Sequence, residues 1–173
     1  MKKKLLTAMA VFAFTISNAQ EQTSNAQNQI AKGKWLVEVN TGFGSGVGST
    51  SFGLTSSDGD TVYNIGAEGG YFLIDNLALK LGLGFGDDSS KSVFSYKVGG
   101  KYYVVGKFPV EVSYNGVSYE GAGKNPSYVG MQAGYALFLG NNVSVEPGVR
   151  YNVSTNDYYG NDFQFNVGFA LHF

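Results

Sequence analysis

From Gly33 to the C-terminus, apolar residues recur at every second position in eight separate segments. A period of two is the signature of strands, because successive side chains leave an extended backbone on opposite faces. The segments cover 35–43, 63–71, 77–85, 94–104, 110–114, 129–137, 143–151 and 163–173. The third is the cleanest: Leu77, Leu79, Leu81, Leu83 and Phe85 alternate with Ala78, Lys80, Gly82 and Gly84. Connections alternate in length. Residues 72–76, 105–108 and 138–142 are tight, whereas 44–60, 86–92, 115–127 and 152–161 are long. Such a chain is all-β, and eight strands joined this way predict an antiparallel up-and-down barrel with both termini on the short-turn side. Pro147 falls within the seventh segment, where it has no N–H for the ladder, so a bulge is expected there.

The same alternation would suit a barrel with its apolar face turned inward, so the direction has to be argued. Aromatic residues stand at both ends of the apolar stripes: Trp35 and Phe43, Tyr63 and Tyr71, Phe163 and Phe173. Rings at two water interfaces form such girdles in membrane barrels. The opposite face is poor in charge and abundant in Gly, which fits a narrow lumen better than a wetted exterior. Its charges also balance: Glu38, Glu68, Glu111 and Glu146 against Lys80, Lys97, Lys101 and Arg150. Buried charges persist when paired, since an unpaired one costs several kcal/mol of desolvation. Strands in hydrocarbon must also close on themselves to satisfy the backbone. The expected fold is therefore a transmembrane β-barrel whose lumen holds an ion network.

The N-terminus fits that destination. Lys2, Lys3 and Lys4 precede an apolar stretch from Leu5 to Ile16 and then Ser17-Asn18-Ala19, the pattern of a secretory signal peptide cleaved after Ala19. About a dozen apolar residues are too few for the ~20 of a spanning helix. Residues 1–19 are thus read as signal peptide, 20–32 (QEQTSNAQNQIAK) as a flexible periplasmic lead, and 33–173 as one barrel domain. Loss of the three lysines takes the basic count from 12 to 9 against 13 acidic residues, a net charge of −4. That balance gives nucleic acid nothing to bind. With no cysteine, disulfides, a lipid-modified N-terminal Cys and thiolate metal sites are excluded.

The runs Gly70-Tyr71-Phe72-Leu73-Ile74-Asp75-Asn76-Leu77-Ala78-Leu79 and Gly134-Tyr135-Ala136-Leu137-Phe138-Leu139-Gly140-Asn141-Asn142-Val143, with the terminal Phe173, resemble the small outer-membrane β-barrel family of OmpA transmembrane domains and OmpX. The resemblance spans about Gly33 to Phe173. It implies insertion into the outer membrane of a Gram-negative bacterium from the periplasm. It also implies that Phe169, Leu171 and Phe173 form a C-terminal signal for the assembly machinery. No peptidoglycan-binding domain follows the barrel, so tethering to the cell wall is not expected.

Barrel enzymes of this membrane combine His with Ser, Asp or Glu near the outer rim. The single histidine, His172, is one residue from the C-terminus and belongs at the periplasmic end. No enzyme activity and no cofactor or metal are expected. Glu68 and Glu146 have the residue type for acid and base work, but Lys and Arg neighbours hold such carboxylates ionised. Residues 42–48 (GFGSGVG) lack the Lys and the helix of a phosphate-binding loop. Gly33-Lys34-Trp35 matches the tripeptide opening the first lipocalin strand, without the helix pattern of that fold. The long loops carry Asp58, Asp60, Asp87, Asp88, Glu120, Asp157 and Asp162 against Lys91 and Lys124, an acidic rim without calcium-loop spacing. The function expected is a structural or surface-interaction role in envelope integrity or adhesion. Expected partners are outer-membrane lipid and lipopolysaccharide, the assembly machinery, and loop contacts outside the cell. A narrow channel for ions or small solutes is the alternative, and a soluble periplasmic carrier is a third.

Overall fold

The structure is a computed structural model that describes residues 28–43, 53–57, 60–88, 92–121 and 125–173. Residues 1–27, with Ala19, most of the polar lead and the expected signal peptide, lie outside the described residues, as do Asp58, Lys91 and Lys124. Ten strands form one antiparallel sheet: β1 (Trp35–Phe43), β2 (Gly53–Ser57), β3 (Asp60–Ile74), β4 (Leu77–Asp88), β5 (Ser92–Val104), β6 (Phe108–Tyr119), β7 (Ser127–Gly134), β8 (Leu137–Leu139), β9 (Val143–Ser154) and β10 (Asp162–His172). The order runs β1-β10-β9-β7-β6-β5-β4-β3-β2, and β1 also pairs with β3, which closes the wall. β8 pairs with β9 and continues the line of β7, while β2 is an outer flap on β3. The barrel therefore has eight staves.

The strands form where β-branched and aromatic residues occupy alternate positions, and the direction of those side chains is the opposite of a water-soluble barrel. On β4, Leu79, Leu81, Leu83 and Phe85 are about half exposed or more, while Ala78 and Lys80 are fully buried. Ile65, Val112, Met131, Phe165 and Leu171 likewise face out. Among the described residues no helix is long and apolar enough to cross a membrane. A continuous apolar exterior on a closed sheet suits hydrocarbon, where every backbone group is satisfied within the wall.

The closing seam changes partners partway up. One edge of β1 pairs with β3 only from Trp35↔Tyr71 to Glu38↔Glu68, while its other edge runs along β10 from Leu36↔His172 to Phe43↔Phe165. The outer end of β3 pairs instead with β2, from Gly53↔Asn64 to Ser57↔Asp60. Three tight turns lie at the opposite end, the base. Asn76, Val105, Gly106 and Gly140 adopt positive φ there, which lets the chain reverse in few residues.

Four expectations need correction. β6 runs to Tyr119, so part of the loop expected over 115–127 is strand paired with β5. The first long loop likewise contains β2. Pro147 causes no bulge in β9: it pairs with Val167 in unbroken register, and the interruption falls on the partner, between β7 and β8. There Tyr135 N–H donates to the Pro147 carbonyl at 3.0 Å, so only the N–H that proline lacks goes missing from the ladder. A register shift occurs instead between Phe72 and Ile74. Finally, residues 28–32 are not a free lead. Ile30 and Gln29 are buried at the base, and Asn76 N–H donates to the Ile30 carbonyl at 2.8 Å. Gln29 Nε2 reaches the Gly140 carbonyl at 2.8 Å, and Lys32 N–H donates to Asp75 Oδ1 at 2.8 Å.

Candidate functional site: a layered lumen

Inward-facing positions of neighbouring staves stack at equal heights, so the lumen fills in layers. The lowest layer is apolar. Leu36, Phe72, Ala78, Tyr103, Ala136, Phe138 and Ala170 pack together with Ile30 from the segment below them. Rings of Phe72, Tyr103 and Phe138 lie 6.0 and 6.3 Å apart by centroid, and the His172 imidazole stands 5.6 Å from Phe138. Burying such rings supplies large apolar area to a narrow space.

Above this floor sit the eight charged residues, one or two from each of six staves and all buried. Lys80 Nζ lies 2.8 Å from Glu38, 2.6 Å from Glu68 and 2.8 Å from Glu111. Lys97 bridges Glu68 at 2.9 Å and Glu111 at 2.5 Å. Lys101 pairs with Glu38 at 2.7 Å and also with Glu146. Arg150 reaches Glu111 at 3.3 Å and donates to Gln132 Oε1 at 2.5 Å. Four carboxylates and four cations leave no net formal charge. Removing charges from water is costly, and the cluster offsets that cost by giving each carboxylate at least one cation and further donors. Asn40 Nδ2 donates to Glu38 at 2.8 Å, and the Tyr103 and Ser144 hydroxyls each donate to Glu146 at 2.8 Å.

The third layer is made of amides. Asn115 Nδ2 donates to Asn152 Oδ1 at 3.4 Å, and Asn152 Nδ2 and Gln164 Nε2 donate to Asp162 at 3.3 and 2.8 Å. Glycines make room for them. A Cβ on Gly130 would fall 2.7 Å from both Asn115 Nδ2 and Asn152 Oδ1.

His172 lies beside a hydroxyl and a carboxylate that have the residue types of a catalytic triad. Its Nε2 is 2.8 Å from Ser144 Oγ, a distance that a nucleophile and base would show. The acid, however, is on the wrong partner: Glu146 accepts from Ser144, and no carboxylate accepts from His172 Nδ1. A catalytic acid orients the imidazole through Nδ1, so this is not the triad arrangement. All three side chains are also sealed within the wall. No group of three or more metal-ligating side chains occurs among the described residues.

The structure brings together the eight charged residues singled out in the sequence: Glu38, Glu68, Lys80, Lys97, Lys101, Glu111, Glu146 and Arg150. Phe169, Leu171 and Phe173 are about half exposed on the outer face. What sequence reasoning missed is the floor. Leu36 and Tyr103 share parity with Glu38 and Lys101, which was a readable signal for the lumen; Phe72 and Phe138 lie in segments read as turns. Ile30 carried no periodic signal at all.

The fold is that of small outer-membrane β-barrels. The chain is similar to the N-terminal β-barrel domain of Pseudomonas aeruginosa OprF, with 14% identity over 82% of this chain and 98% of that one, at a TM-score of 0.51. It is similar in the same degree to Neisserial surface protein A, with 15% identity over 82% of this chain and all of that one, again at 0.51. No family model matches the chain, and no curated protein matches it.

Proposed function

We propose that the protein is an integral barrel of the outer membrane of a Gram-negative bacterium that serves the envelope through its lipid-facing wall and outer loops, in a structural or surface-interaction role, and not through its lumen. The observation that carries this reading is the filled lumen: a neutral eight-charge cluster resting on an apolar floor. Solute crossing would have to break several buried ion pairs at once, each costing several kcal/mol to separate. The protein is not an enzyme on this reading, because the Ser144–His172 contact is sealed and wrongly ordered. Lipid and lipopolysaccharide surround the wall, and the outward Phe169, Leu171 and Phe173 form the edge offered to the assembly machinery.

The test uses outer-membrane fractions and purified protein. A folded barrel resists detergent until heated, so it runs at two electrophoretic positions with and without boiling. Purified protein in planar bilayers gives no large, stable conductance. A single position in a soluble fraction would exclude the membrane reading, and stable open channels would exclude the closed lumen. Deleting the outer loops over 121–125 and 155–161 leaves the barrel folded and weakens envelope resistance to detergent or contact with other cells.

The second reading, a narrow channel, draws on the amide layer. Asn40 Oδ1, Asn115 Oδ1 and both amide atoms of Asn166 are buried without a protein partner, a chemistry that suits water in the outer half of the lumen. On that reading, the wild-type protein conducts in planar bilayers, and neutralising Glu146 or Arg150 changes that conductance.

A further inference from the structure

Outside the lumen the charges are sorted by end. The base carries Lys32 and Lys34, both exposed, and the half-buried Lys107, against Asp75. The outer end carries Asp87, Glu120, Asp157 and Asp162, with no lysine or arginine among the described residues there. Every salt bridge of the described residues lies in the lumen, so the basal lysines are not consumed by ion pairs within the wall.

Two of these lysines adjoin an aromatic pair on the lipid side. Lys34 precedes Trp35, whose ring is 5.0 Å from that of Tyr71. Lys107 precedes Phe108, whose ring is 5.3 Å from Tyr135. Trp35, Tyr71 and Phe108 are exposed on the outer face. Following the closed strand order, β1 and the β5–β6 turn stand on nearly opposite walls. Aromatic rings settle at the level of lipid headgroups, and a lysine stem reaches along the surface to put its ammonium among the phosphates. Near an anionic surface each such lysine adds attraction that a zwitterionic headgroup, with its own cation, largely cancels.

We propose that Lys34 with Trp35 and Tyr71, and Lys107 with Phe108 and Tyr135, form two feet that bind anionic phospholipid headgroups in the leaflet around the base of the barrel. This rests on the reading of the chain as a membrane barrel. The occupant is a lipid headgroup in the bilayer, since the rings need hydrocarbon beside the phosphate. The acidic outer rim repels the same headgroups, so the pair of feet also sets which end of the barrel an anionic leaflet favours.

Trp35 is the single tryptophan of the chain, so its fluorescence reports on one foot directly. The full chain is folded into vesicles doped with brominated phosphatidylglycerol or brominated phosphatidylcholine, and quenching of Trp35 is compared. Phosphatidylglycerol is expected to occupy the site about fivefold more readily, the ratio for one lysine at a charged surface. The preference falls at high salt in the wild-type protein, falls in Lys34→Gln, and survives in Lys34→Arg. Inorganic phosphate added to phosphatidylcholine vesicles changes nothing. Equal quenching by the two lipids, or a preference unchanged in Lys34→Gln, overturns the proposal while leaving the membrane barrel intact. Quenching by neither lipid overturns the membrane reading itself. Boiling-dependent migration of each variant checks that it is folded.

Discussion

Lys80 on β4 reaches past the intervening β5 to meet Glu111 on β6 at 2.8 Å, inside a lumen where neither side chain touches solvent. The same ammonium group also contacts Glu38 and Glu68, so three carboxylates from three staves share one cation. Lys80→Met leaves those carboxylates short of positive charge. Breaking a buried pair from one side costs about 3–5 kcal/mol, and urea unfolding of the protein in vesicles should register a loss of that order. Lys80→Met combined with Glu111→Gln should recover part of the loss, because the pair is removed from both sides.

Ile30 makes a second, independent prediction. It is fully buried against the floor although it precedes the first strand. Truncation of a buried Ile to Ala costs about 2–5 kcal/mol. Ile30→Ala should therefore lower the temperature at which the folded electrophoretic form disappears. An Ile30→Ala protein as heat-resistant as wild type would mean that the 28–32 segment does not stay docked.

Two glycines separate lumen crowding from lipid exposure. A Cβ on Gly99 would fall 2.6 Å from the Val112 carbonyl and 2.9 Å from Ser113 Cα, both backbone atoms of β6. Gly69 has nothing within 4 Å of the same position. Gly99→Ala should destabilise by about 1–3 kcal/mol through strand displacement, and Gly69→Ala should be close to neutral in the same unfolding assay.

Val105 occupies the left-handed region at φ 44° while largely exposed at the tip of a basal turn. A β-branched residue is disfavoured there by roughly 1–2 kcal/mol relative to Gly. Val105→Gly, next to Gly106 at φ 72°, should raise the urea midpoint of unfolding. Unchanged stability would place the strain below what that turn imposes.

The sequence by itself determined the wall. Period-two alternation fixes which face of each strand is apolar, alternating connection lengths fix the up-and-down path, and parity puts the balanced Glu and Lys or Arg residues on the face opposite the apolar one. It failed at Pro147 because a strand can lose one N–H and keep its register when the partner strand breaks instead. It failed at β2 and at the end of β6 because short polar strands beyond the apolar band have no burial to impose a pattern.

Only the tertiary structure decided which charges meet. Parity puts Lys80 and Glu111 in the same lumen, but their contact depends on the relative stagger of staves that are not neighbours, a property of the closed barrel. Docking of Ile30 is of the same kind. Its burial comes from three turns, near Asn76, Gly106 and Gly140, brought together only when the wall closes, and no local pattern in residues 28–32 encodes that meeting.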